Sequence, residues 1–149
     1  MSSQSTRKAY MIDIAMRFLG KFYIWGGDDP SGFDCSGFVI ECLKSIGVLS
    51  RDGDWTAQTL WDLLQDRRTN IPTGGCLVFW KNNQGKVIHV EICLNDELSI
   101  GASGGGSRTL TIEDAIKQNA FIKVRPFRSR LNIAGFIDLF TVEYASGKE

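Results

Sequence analysis

Apolar residues along this chain follow two periods, helical in the first half and strand-like in the second. Between residues 7 and 19, Met11, Ile14, Ala15 and Phe18 recur at helical spacing, and Ser5 or Thr6 can cap that segment. From Cys35 onward, Phe38, Val39, Cys42, Leu43 and Ile46 stand at i+3, i+4, i+7, i+8 and i+11, and Gly47 is placed to stop the helix. A third helix is predicted from Thr56 to about Gln65, with Ala57, Leu60, Trp61 and Leu64 on one face and Asp54 or Thr56 as its cap. Strands follow near 75–80, 86–94, 97–102, 121–125 and 134–140, with a short helix at 112–118. Helices first and strands afterwards, joined by short links, indicate an α+β fold with an antiparallel sheet. The stretch holding Gly26-Gly27, Pro30 and Gly32 forbids regular structure and reads as a tight loop.

That loop runs directly into Cys35, so the cysteine sits where a helix begins. Unpaired backbone N–H groups and the positive end of the helix dipole favour an anion there, and a thiolate is the reactive form of cysteine. Beside an imidazolium, such a position is expected to lower a thiol pKa. The amides of Cys35 and Ser36 would then lie within reach of an oxyanion formed on a substrate carbonyl. The chain has one histidine, His89, within Val87-Ile88-His89-Val90-Glu91-Ile92-Cys93-Leu94, a β-branched run that reads as a strand after the turn signal Asn82-Asn83-Gln84-Gly85. A strand holds side-chain orientation well, as a general base requires. A thiol nucleophile with an imidazole partner is therefore the chemistry to test.

Four segments carry a resemblance. Tyr23-Ile24-Trp25-Gly26-Gly27, Phe33-Asp34-Cys35-Ser36-Gly37-Phe38, Gly75-Cys76-Leu77-Val78-Phe79-Trp80 and His89-Val90-Glu91-Ile92 occur in the order and at the separations of the NlpC/P60 cell-wall peptidases, which the chain resembles over about residues 8 to 103. The resemblance implies a papain-like α+β domain over 1–149, residues 1–6 flexible, that cleaves amide bonds in peptidoglycan stem peptides, often between D-glutamate and a diamino acid. It matches Cys35 to the nucleophile and His89 to the base. Tyr23, Trp25, Asp34 and Ser36 fall at substrate-binding or supporting positions.

One position departs from the pattern. The family's third polar residue, usually His, Asn or Gln, orients the imidazole from a segment resembling Phe-x-His-Ala-Ser. The matching stretch here is Leu98-Ser99-Ile100-Gly101-Ala102-Ser103, which puts Gly101 where that side chain is expected. Glu91 replaces a residue that is usually glycine, and at i+2 from His89 it points to the same face of a strand. Three readings stand: Glu91 contacts the imidazole or binds an amino group of the substrate, a backbone carbonyl or water fills the third place, or the enzyme is weakened. A site role for Glu91 is favoured, because its carboxylate shares the histidine's face.

Composition narrows the picture further. A length of 149 residues suits one domain, and 43% apolar content with three prolines argues against disorder. Seventeen basic and seventeen acidic residues cancel, so nothing points to nucleic acid. The basic clusters Arg67-Arg68 and Lys123 to Arg130 read as solvated surface. Cys42, Cys76 and Cys93 lie in apolar runs and read as core thiols. No metal and no cofactor is expected, since there is no Cys-x-x-Cys pair and His89 is claimed by the thiol. Gly101 to Ser107 lacks the context of a phosphate loop and reads as a flexible flap beside the cleft. Trp25, Trp55, Trp61 and Trp80 read mainly as core, with Trp55 placed to border a substrate groove.

No segment is long and apolar enough to span a bilayer, and Met1 to Lys8 lacks a signal-peptide core. With the resemblance, this suggests a phage or prophage product, made in the cytoplasm and delivered to the wall by the tail or at lysis. Phage tail proteins would be partners beside the peptidoglycan peptide. The ending Ile133 to Phe140 is similar to the last strand of phage-associated relatives. The same cysteine-histidine core also serves acyltransferases and transglutaminases, and a weakened wall-binding tail component is a further alternative.

Overall fold

The strand-forming runs of the second half pair into one six-stranded antiparallel sheet. The structure, a computed structural model, describes residues 3–26, 28–29 and 32–140, with the backbone alone at 28–29 and 32–33. Its elements in chain order are helix α1 (Ser3–Met16), strands β1 (Asp28–Asp29) and β2 (Gly32–Phe33), helices α2 (Cys35–Ser45) and α3 (Ala57–Leu63), and strand β3 (Arg68–Thr69). Strands β4 (Leu77–Lys81), β5 (Val87–Cys93) and β6 (Leu98–Ser103), helix α4 (Ile112–Gln118), and strands β7 (Phe121–Pro126) and β8 (Ile133–Ile137) follow. The sheet order is β3-β8-β4-β5-β6-β7. This is the α+β architecture that helices-then-strands implies.

Element boundaries move by a few residues from the sequence expectation. Helix α1 begins at Ser3, so Ser5 and Thr6 lie inside it rather than capping it, and it ends at Met16, short of residue 19. The last turn is cut off because Gly20, at φ +86°, donates its amide to Ile122 across the sheet edge. Of the two candidate caps for α3, Thr56 is the one used, in a reciprocal capping box with Thr59. The glycine- and proline-rich loop is not wholly irregular: β1 and β2 pair as a small antiparallel ribbon, with residue 28 opposite 33 and 29 opposite 32.

Helix α2 packs its buried residues Phe38, Val39, Ile40, Cys42 and Leu43 onto the inner face of the sheet, against Leu77, Phe79, Val90, Ile92 and Ile100. Phe38 is fully buried, worth about 1.5–3 kcal/mol of apolar transfer. The outer face is also covered. Cys76, Val78, Trp80 and Cys93 form a second apolar cluster with Phe127 and Phe136. Strand β4 is therefore buried on both sides from Leu77 to Trp80, which is why it reads as a continuous apolar run, whereas β5 sets His89 and Glu91 among its apolar residues.

One irregularity in the sheet prepares the site. Strand β6 pairs with β7 along its whole length, from Leu98 opposite Pro126 to Ser103 opposite Phe121. With β5 it pairs only at Ile92–Ile100 and Cys93–Ser99. The first half of β5 thus keeps β4 as a neighbour and parts from β6. Backbone groups of Cys93 bond toward Cys76 and Gly75 on the β4 side, so by alternation the Ile88 carbonyl and the Val90 amide face the gap.

Candidate active site

The helix that carries Cys35 is started by its neighbour. Asp34 is the N-cap of α2: its Oδ1 accepts the Gly37 amide at 2.7 Å and its Oδ2 accepts the Gly26 amide at 3.1 Å, tying the preceding loop to the helix start. Ser36 donates its hydroxyl to the same carboxylate at 3.5 Å. The loop is held from the other side by backbone bonds from Tyr23 to Ala120 and from Trp25 to Thr109. Cys35 therefore leaves a fixed turn and points into the gap beside β5.

There the sulfur lies 3.7 Å from the Ile88 carbonyl oxygen. Among the described residues this carbonyl, not the imidazole, is the thiol's hydrogen-bond acceptor. Burial is the largest influence on the thiol and pushes its pKa up to about 12, with the Asp34 carboxylate adding to the rise. The Val90 and Ser36 amides and the Arg130 guanidinium pull the other way without prevailing. Desolvation of a charged sulfur thus outweighs the amides aimed at it, opposite in direction to the lowering expected from the helix start. Tyr23, itself buried, has its phenol raised by burial and by the neighbouring Cys35 and Asp34.

His89 is 4% exposed and its Nε2 lies 2.7 Å from Glu91 Oε2. Glu91 is fully buried, yet its carboxylate collects two further donors: the Ser99 hydroxyl at 2.7 Å on Oε1 and Arg125 Nη2 at 3.2 Å on Oε2. Burial alone would raise the Glu91 pKa, but the bonds from His89 and Ser99 and the Arg125 charge hold it below the usual carboxylate range. Burial moves His89 the opposite way, below its ordinary value, despite the carboxylate beside it. An ionised carboxylate only accepts, so Nε2 donates in this contact, and in the neutral ring that burial favours Nδ1 carries the lone pair.

Gly101 has a reason in the same place. A Cβ at Gly101 would collide with Cγ of Glu91 and lie 2.6 Å from its Cδ. The space that a side chain on β6 would fill is occupied by the carboxylate arriving from β5. Of the readings left open by the sequence, contact between Glu91 and the imidazole is the one the coordinates bear out geometrically.

Cys35, His89, Tyr23, Trp25, Asp34 and Ser36 all line one cavity of about 540 Å³. Trp25, rather than Trp55, borders it; Trp55 packs against the inner core. Gly104 to Gly106 form part of its wall, with Gly105 so close to Tyr23 that a Cβ there would strike the ring. The basic stretch from Lys123 to Arg130 is not simply solvated surface. Arg125 reaches Glu91, and Arg130 enters the cavity lining with its guanidinium 5.7 Å from the Trp80 ring centre. Period-two alternation on β7 puts Arg125 on the Glu91 face and was the available signal; Ser99 and Arg130 had none. Cys42, Cys76 and Cys93 are buried free thiols. No helix among the described residues is long and apolar enough to cross a membrane.

Two measurements follow from this packing. Gly101→Ala lowers unfolding free energy by about 1–3 kcal/mol through overpacking, and in a Glu91→Gly background the same change costs less than half as much; equal costs in a double-mutant cycle would refute the steric account. Because folding lowers the His89 pKa, the unfolded chain binds the proton more tightly below about pH 6.5, and stability falls as pH drops through that range. Glu91 adds a further loss below about pH 4.5. With a single histidine in the chain, urea midpoints should decline from pH 7 to 5.5 in the wild type and stay nearly flat in His89→Gln.

Comparison with known proteins places this geometry. Residues 20–126 match the NlpC/P60 family. Protein P54 of Enterococcus faecium is 37% identical over 95 residues, 60% of this chain and 17% of that protein. A gamma-D-glutamyl-L-lysine dipeptidyl-peptidase of Bacillus cereus is 36% identical over 89 residues, 58% of this chain and 26% of its own. The chain spans less than half the length of either curated relative. Among solved structures, the NlpC/p60 domain of the peptidoglycan hydrolase SagA superposes with a TM-score of 0.63 at 25% identity, covering 89% of this chain and 98% of that one. With the match extending from the Tyr23 loop through β7, the chain belongs to the NlpC/P60 family.

Proposed function

We propose that the chain is a peptidoglycan hydrolase, cleaving an amide bond of a wall peptide through an acyl-enzyme on Cys35. One observation carries this reading: Glu91 takes the Nε2 hydrogen of His89, leaving Nδ1 as a base in the cavity that holds the thiol. With thiol and imidazole both neutral at rest, the first step is proton transfer. His89 Nδ1 takes the Cys35 proton as the sulfur attacks the substrate carbonyl carbon, and the carbonyl electron pair moves to oxygen. The Cys35 and Ser36 amides at the start of α2 stabilise that oxyanion. The intermediate collapses to a thioester, and the imidazolium returns its proton to the departing amine. Water, deprotonated by His89, then attacks the thioester and releases the carboxylic acid and the thiol.

Glu91 acts as the orienting residue in this scheme. It fixes the tautomer and balances the positive charge that His89 gains during attack, while Ser99 and Arg125 keep the carboxylate in place. Tyr23 and Trp25 form the cavity wall against which the peptide lies. A γ-D-glutamyl bond to a diamino acid is the favoured target, in keeping with the specificity by which the Bacillus cereus relative is named.

Incubation with muropeptides should release a new free amine, identified with its bond by mass spectrometry. Cys35→Ala abolishes the product, and Glu91→Gln lowers kcat by at least about ten-fold. Full activity in Cys35→Ala would end the thiol mechanism, and unchanged kcat in Glu91→Gln would remove Glu91 from it.

A further inference from the structure

The cavity has a charge character that the hydrolytic scheme does not use. Lys86 and Arg130 both line it, while the carboxylate in its lining, Asp34, already accepts the Gly26 and Gly37 amides. Glu91 lies fully buried behind His89 and is committed to three donors. The groups left to meet a ligand are therefore positively charged.

Arg130 is the more informative of the two cations. It is half-buried, its backbone carbonyl accepts Trp80 Nε1 at 3.3 Å, and its guanidinium lies over the Trp80 ring, 5.7 Å from the ring centre. Trp80 in turn packs against His89, with ring centres 5.1 Å apart. The guanidinium is thereby held beside the catalytic imidazole, yet among the described residues no carboxylate or carbonyl accepts from it. A guanidinium presents five N–H donors in a planar fork that matches a carboxylate, and leaving them unmatched in a partly desolvated site is costly. A second polar group is also left over in this cavity: Ser103 Oγ, in a residue 3% exposed, has no partner among the described residues.

Building on the hydrolase reading above, we infer that Arg130 is a specificity residue that binds a free carboxylate of the substrate close to the scissile amide. A glutamyl residue joined through its γ-carbonyl offers such a group, since the linkage leaves its α-carboxylate free. Converting that carboxylate to a carboxamide removes the charge and half of the acceptor pair while preserving shape. The cleft thus discriminates between acid and amidated forms of the same peptide, with Trp80 holding the guanidinium in the orientation that reads the difference.

The test compares two synthetic tripeptides, L-alanyl-γ-D-glutamyl-L-lysine and its α-carboxamide. In the wild type, kcat/KM for the acid should exceed that for the amide by about ten-fold or more, the scale of a charge-assisted pair. Arg130→Gln should bring the ratio close to one, with Arg130→Lys between. A wild-type ratio near one overturns the inference whether or not the variants fold, as does a wild-type ratio retained in Arg130→Gln. If neither peptide is cleaved, the hydrolase reading fails for this bond, and calorimetry with the Cys35→Ala protein decides the Arg130 question separately. Tighter binding of the acid that is lost in Cys35→Ala/Arg130→Gln supports the carboxylate site; equal or absent binding of both peptides refutes it.

Discussion

A carboxylate with no exposure to water organises the functional half of this molecule. An unpaired charge at the depth of Glu91 would cost several kcal/mol, so the surrounding elements must answer it. Strand β5 supplies His89, β6 supplies Ser99 and β7 supplies Arg125, three strands tied to one group. Each donor is in turn fixed by its own strand's pairing. The sheet therefore positions the carboxylate, and the carboxylate fixes the register of what faces it, since a slip of one residue on any of the three strands would leave it unmatched. The imidazole is oriented as a consequence of that satisfaction.

The two faces of the sheet divide the labour. Helix α2 presses on the inner face and brings Cys35 to the parted edge of β5, while His89 and Glu91 belong to the outer face with Trp80. Thiol and imidazole thus approach from opposite sides of one strand, and the gap between β5 and β6 is what lets them share a cavity. Burial of the sulfur at that edge favours the protonated thiol.

Much of this was legible in the residues. Helical spacing after Cys35, the β-branched run around His89 and the i+2 relation of Glu91 all translate directly into geometry. What escaped reading depended on contacts distant along the chain. Ser99 and Arg125 meet Glu91 from 8 and 34 residues away, and strand alternation gives the face of Arg125 without marking it as the partner of Glu91. The rise of the Cys35 pKa is distant from local reading for a related reason. The helix start is a local property of the sequence, whereas the burial that overrides it depends on the whole fold. The ribbon of β1 and β2 shows the converse, since a stretch rich in glycine and proline still pairs, residue 28 opposite 33 and 29 opposite 32.

The collision between a side chain at position 101 and Glu91 bears on how such a site could have arisen. Where the resemblance leads one to expect a polar residue on β6 and glycine on β5, this chain has Gly101 and Glu91, and a side chain at 101 would compete with Glu91 for one volume. No ancestor could hold both at once without repacking. The route between the two arrangements must then cross a form with neither, its histidine unsupported, or change both positions together. The two arrangements are thus alternatives for a single volume, and whichever position carries the side chain denies it to the other.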